Sequence, residues 1–251
     1  MAAQVYARWV AHPPWHLSGE LLIALARRPA GARPLPDGVA PLPGPAVVLA
    51  ASYSASPIGP FTELAVAEPA RLGLRPGYCV TTSVVAASEC RIDYRLNWGV
   101  PADVGTLLWE VEPSGLRRLT WLERGVTVSG AASWFRVPGW LPVRGVQRRS
   151  DGVVLVPRRV RGWLSPSVVT VDVPGDDGRL SWLAGRHVGA VVPGMRMVVE
   201  PARHPAGLLS SLRAPVRAPG PGLTASVLPD RKVPAPASAR VVVPRAYGSV
   251  G

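Results

Sequence analysis

The residues best suited to chemistry in this chain are carboxylates gathered in its first half: Glu63, Glu68, Glu89 and Asp93, with Arg91 and Arg95 close by in sequence. Carboxylates usually stay solvated or paired, because a bare charge is costly to bury. Glu63 has a different setting. It follows a Gly59-Pro60 turn, lies between Phe61 and Leu64, and stands at the start of an apolar run. If it faces inward, desolvation raises its pKa and makes it a candidate proton shuttle.

Other chemistries lack local support. The only lysine is Lys232, after "LPDR", so no phosphate-cradling glycine loop with its lysine is present. A serine nucleophile elbow of the form G-x-S-x-G is missing. His12 and His16 are four apart, but Pro13 and Pro14 between them prevent a helix from aligning the two rings. Cys79 and Cys90 form no C-x-x-C pair and read as two reduced core thiols. The expectation is no metal site and no cofactor.

The elements that must position these residues follow from composition. Hydrophobic residues make up 47% and charged residues 18%, which excludes a disordered polar chain. The 29 prolines and 26 glycines interrupt the sequence too often for long helices and suit many short strands joined by turns. The fold expected is α+β and mostly β, a single domain over residues 1–251 with a loose tail from about 246. The N-terminal sequence does not read as a signal peptide, and "LLIALA" (21–26) falls far short of the roughly 20 apolar residues that cross a bilayer. The expected location is cytoplasmic, with no membrane partner.

Along the chain, residues 13–28 read as a strand, 29–45 as a surface connector, 46–56 as a strand, 57–61 as a turn and 62–73 as an extended segment, with a second turn expected at "RPG" (75–77). A short helix is expected to start near Ser88, with Ser88 as its N-cap, and to stop by Gly99 and Pro101. The second half reads as a succession of hairpins, including "RSDGVVLVPRRVRGWLSP" and "HVGAVVPGMRMVVEP", which together make a closed or strongly curled antiparallel sheet. A late strand "ARVVV" (239–243) completes the series.

Two segments carry a resemblance to a known family. "SYSASPIGPFTELAVA" (52–67) is followed some thirty residues on by "YRLNWGVPADVGTLLWE" (94–110). In this order they resemble the acetoacetate decarboxylase family, with its G-P-[FY]-x-E segment and its later G-R-E/N-x-x-G-x-P-K segment. The early "PPWHLSGELLIAL" is similar to the family's first strand. The resemblance implies a curled antiparallel sheet forming a cone or barrel around a hydrophobic cavity, assembled into homo-oligomers. It also implies a pocket glutamate at Glu63.

In the family the lysine after the proline forms a Schiff base with a β-keto acid. Here that lost Schiff-base position is Ala102, and a methyl group forms no imine. The family's pocket arginine falls near Gly19, so that group is missing too. Lys232 would replace the amine only if the C-terminal segment folded into the cavity. Tyr53, Arg95, Asn97 and Trp98 are the candidate substrate-binding residues; for the last three the alternative is that they hold the turn that presents position 102.

Two readings follow. One is an enzyme that does not decarboxylate: Glu63 moves a proton on a hydrophobic carbonyl compound and so promotes enolisation, dehydration or cyclisation, as in the tailoring of a secondary metabolite. The other is a binding protein that holds a lipophilic small molecule and changes no bond. A third and weaker reading is nucleic-acid binding. The formal charge is +12, from 27 arginines and one lysine against 16 acids. However, "RGVQRRSDGVVLVPRRVRGW" (144–163) lacks a groove-reading motif and is accounted for by a solvated hairpin with arginines on its outer face.

Overall fold

The computed structural model describes residues 10–29, 34–175 and 178–205. Lys232, the expected strand "ARVVV" and the expected loose tail lie outside the described residues. The strands are β1 (Trp15–Ala26), β2 (Ala40–Pro41), β3 (Ala46–Ala55), β4 (Phe61–Leu72), β5 (Arg75–Val85), β6 (Ala102–Val104), β7 (Leu107–Val111), β8 (Leu116–Trp121), β9 (Val126–Ala131), β10 (Val137–Arg149), β11 (Gly152–Asp172) and β12 (Gly185–Val199). Among the described residues one helix, α1 (Ser88–Trp98), joins β5 to β6, and a 3-10 turn (Ser181–Leu183) precedes β12. No helix among the described residues is long and apolar enough to cross a membrane.

All twelve strands join one sheet, in the order β10-β5-β4-β3-β1-β12-β11-β9-β8-β7, with β2 on β4 and β6 on β5. Because β10 also pairs with β11, the path from β10 round to β11 returns on itself and the sheet curls around an interior. Side chains that alternate along each strand therefore fall on an inner and an outer face. On β3, Leu49, Ala51 and Tyr53 point inward while Val48 and Ala50 point outward. On β4, Phe61, Ala65 and Ala67 point inward while Leu64 and Val66 point outward. The outward set packs under Leu107, Leu119 and Val126 of the β7–β9 strands, so the central strands are buried on both faces and read as near-continuous apolar runs.

Helix α1 lies against the inner core through Cys90, Asp93, Tyr94 and Trp98, spaced three and four apart on one face. Its N-cap is Ala87, without a side-chain hydrogen bond; the Ser88 hydroxyl donates to Glu89 instead, one residue too late to serve the cap. It ends at Gly99, whose φ of 72° is left-handed, with N–H groups of Gly99 and Val100 returning to the carbonyls of Arg95 and Tyr94.

Several turn expectations are corrected. The β4–β5 turn sits at Gly73-Leu74, and "RPG" already belongs to β5. The Pro-Gly of "VVPGMR" makes no hairpin: β12 runs unbroken, and Pro193 and Gly194 form a bulge opposite Glu20. β11 likewise continues for 21 residues, its ladder to β12 interrupted between Arg161 and Ser165 and resumed beyond. A bulge absorbs residues that would otherwise break the ladder, which is why strands punctuated by Pro and Gly grow this long here.

Candidate functional site

Glu63 points inward near the start of β4, between Ala51 of β3 and Val85 of β5. Three hydroxyls from three other elements converge on it. Tyr53 of β3 and Tyr94 of α1 donate to its Oε2 at 3.1 and 2.9 Å, and Ser83 of β5 donates to Oε1 at 3.1 Å. Burial raises the carboxyl pKa, opposed by the nearby positive charge of Arg158 and by the three hydrogen bonds. Burial, and then the Glu63 charge, push both tyrosines well above the ordinary phenol value, so they remain O–H donors at neutral pH.

Around this cluster the walls are aromatic. The Tyr53 and Phe61 rings lie 4.6 Å apart, Phe61 meets Tyr94 edge-on, and Trp15 packs on both Tyr94 and Trp98.

The charge opposing Glu63's burial comes from a residue that the sequence reading placed elsewhere. Arg158 of β11 is paired with Val199 of β12, and Val199 in turn with Trp15 of β1. Residues paired across strands share a face, and Trp15 and Val199 belong to the inner core, so Arg158 points inward. Its Nε is buried and has no hydrogen-bond partner among the described residues. The expectation of a hairpin with its arginines outside holds for Arg159 and Arg161 and is overturned for Arg158. The signal was available in the alternation Val154, Val156, Arg158, Val160, which sets the arginine on the apolar side.

Ala102 starts β6, fully buried, and pairs in parallel with Ser83, so its methyl lies on the same inner face beside the hydroxyl that bonds Glu63. Gly19 lies at a register shift in β1, where an added Cβ would come 2.0 Å from the Ser52 carbonyl oxygen. Only glycine fits there, so this position cannot carry an arginine into the interior.

The other sequence candidates separate from Glu63. Arg95 is half-exposed and donates to the Ala102 carbonyl and to Asp103 across the α1–β6 turn. Asn97 donates to the Ala11 carbonyl, and Asp93 accepts the Ala11 N–H, so together they hold the segment before β1 on the helix. Trp98 is buried in the aromatic wall with its Nε1–H on the Glu200 carbonyl. Glu68 is buried and paired with Arg28, and Glu89 is exposed. Among the described residues no three His, Cys, Asp or Glu side chains gather as a metal site requires. Cys79 and Cys90 are buried and free. Tyr94, Ser83 and Arg158 went unrecognised in the sequence as members of this cluster.

No family model and no curated protein matches the sequence. Solved structures do. The enduracididine biosynthesis enzyme MppR, complexed with pyruvate, superposes with a TM-score of 0.55 at 20% identity, covering 77% of this chain and 91% of that one. The acetoacetate decarboxylase of Legionella pneumophila matches at 0.55 and 13% identity, over 78% and 88% of the two chains. An acetoacetate decarboxylase-like enzyme from Sphingomonas wittichii RW1 matches at 0.56 and 15% identity, over 77% and 93%. A large curled sheet with one helix among the described residues, matched over most of each neighbour's length, is the acetoacetate decarboxylase-like fold, and this chain has it.

Proposed function

We propose that the chain is an enzyme on the acetoacetate decarboxylase-like fold that acts on a hydrophobic carbonyl compound by general acid/base chemistry, without a covalent imine. The observation that carries this reading is the Glu63 carboxyl, buried on an apolar face and bonded by three hydroxyls from three elements. In the ionised form Glu63 takes the proton from the carbon next to the carbonyl. Tyr53 or Tyr94 turns its O–H to the oxygen that becomes the enolate, and Glu63 returns the proton at a second position. Returning it to another carbon isomerises the substrate; returning it to a departing hydroxyl dehydrates it. The methyl of Ala102 supplies no amine for the alternative route.

Part of this proposal is an apolar chamber. Glu63 lines neither of two surface clefts of about 800 and 650 Å³, and Glu63, Phe61 and Tyr94 are 8%, 6% and 6% exposed, so the chamber that the proposal requires is a separate inner space beside them. The test is hydrogen–deuterium exchange at the α-carbon of ketones in heavy water, read by mass spectrometry. Glu63→Gln should lower the rate by about 10²–10⁴-fold, the usual worth of a general base. Exchange at the wild-type rate in that variant removes Glu63 from the chemistry.

The binding reading has one observation in its favour: three hydroxyls already bond Glu63, so the carboxyl is satisfied without a substrate. Native mass spectrometry that finds an unaltered lipophilic molecule on the protein, together with no exchange above background, would select it.

A further inference from the structure

The geometry points to Arg158 as the seat for an anionic group on the ligand, reached through a groove on the surface formed by β5, β10 and β11. This rests on the reading of the Glu63 cluster as the active site. A groove of about 800 Å³ is lined by Tyr78, Arg144, Arg158, Arg159, Glu200 and Arg203 among others. Two of these residues also belong to the interior. Tyr78 packs against the inner core, and Arg158 shares the row of Trp15 and Val199. The groove therefore ends where the inner face begins, and Arg158 stands at the junction.

Charge favours an anion there. Arg144, Arg158, Arg159 and Arg203 line the groove against one acid, Glu200, which is paired with Arg159. Arg144 donates to the Pro76 carbonyl, which fixes the wall without neutralising the charge. Arg158 differs from the rest in having a buried Nε–H with no acceptor. A guanidinium is always charged and offers its donors in a planar fork that fits a carboxylate at two points. A buried N–H left without an acceptor is unfavourable, and a carboxylate arriving at the Nε of this half-buried guanidinium and its neighbouring nitrogen satisfies it.

Glu63 feels the Arg158 charge without a hydrogen bond to it. An anion seated on the guanidinium would thus lie beside the proton-transfer cluster, with the ligand's apolar body against Tyr78 and the aromatic wall. The ligand class is a monocarboxylate with an apolar body, and Arg158 is its positioning residue.

The experiment uses the full chain and a matched pair of probes, 4-phenylbutyrate and 4-phenylbutan-1-ol, with affinities measured by calorimetry. Wild type should bind the carboxylate at least about tenfold more tightly than the alcohol. Arg158→Met should lose that preference and leave alcohol binding within about twofold, and Arg158→Lys should keep part of it. Arg196→Met, at an exposed position on β12, should bind both probes as wild type does. Equal affinity for the two probes, no carboxylate binding, an unaffected Arg158→Met, or an equal loss in Arg196→Met would each overturn the proposal. If the Met variant does not fold, the Lys variant and the wild-type preference decide it. Glu63→Gln should keep carboxylate binding, so failure of the Glu63 chemistry and failure of the Arg158 seat give different results.

Discussion

At Glu63 the sequence already held half of the site. The Gly-Pro turn and the apolar run after it place an acid on the inner face of a strand, and Tyr53 sits on the same face of the preceding one. Tyr94, Ser83 and Arg158 were not legible as its partners, because their meeting depends on which strands and helix lie side by side around the curl. A consequence is testable by pH. Burial raises the Glu63 pKa from its ordinary value of 4.5, so the folded protein holds that proton more tightly than the unfolded chain does. The stability this contributes is present in full below the ordinary carboxylate range and is lost as pH rises through the folded pKa. Glu63→Gln carries no such titration. Its melting temperature relative to wild type should therefore rise from about pH 4 to about pH 8. Asp93, whose pKa burial also raises, is common to both proteins and cancels in the difference. A difference that is flat or falls with pH would mean that the hydrogen bonds and Arg158, and not burial, dominate at Glu63.

Among the elements, α1 does the most to assemble the site, since it brings Tyr94 to Glu63 and leads into Ala102. Its end was legible because a glycine must follow it, and its start was only approximate because the cap is a backbone position, Ala87, that offers no side-chain signal. The "RSDG" turn does join β10 to β11 as a hairpin, whereas the Pro-Gly of β12 was misread as a turn for a related reason: bulges are backbone devices and look like turns in a sequence. The helix end makes the sharper prediction. At Gly99 an added Cβ would meet the Arg148 carbonyl oxygen of β10 at 2.4 Å, and the left-handed backbone disfavours any side chain. Gly99→Ala should destabilise by about 1–3 kcal/mol, or roughly 2–4 °C in Tm for each kcal/mol in a domain of this size. Ser88→Ala, which removes a hydroxyl that caps nothing, should change Tm by less than about 1 °C. If the two variants melt alike, the Gly99 turn is not what fixes α1 against β10.

For the whole molecule the question is what a strongly basic protein does with exposed aromatics. Trp134 is 93% exposed, and Trp140 and Trp163 are more than half exposed. Pro138 pairs with Trp163 and Trp140 with Arg161, so both tryptophans occupy one outer face of the β10–β11 ribbon. Isolated surface aromatics are ordinary, whereas two neighbours on one face, with Trp134 exposed just before β10, mark a contact surface. We propose that copies of this chain associate through that ribbon. The formal charge of +12 opposes association by mutual repulsion, and salt screens that repulsion, with a Debye length of about 10 Å near 0.1 M falling to about 3 Å at 1 M. An aromatic contact between like-charged copies should therefore strengthen as salt is added, and one made of ion pairs should weaken. Sedimentation velocity of wild type should show an assembly that gains mass from low to high salt. The triple variant Trp134→Ser, Trp140→Ser, Trp163→Ser should sediment as a monomer throughout. If wild type is monomeric in every salt, or the triple variant sediments as wild type does, this face holds no second copy; if the assembly dissociates with salt, ion pairs and not these tryptophans join it.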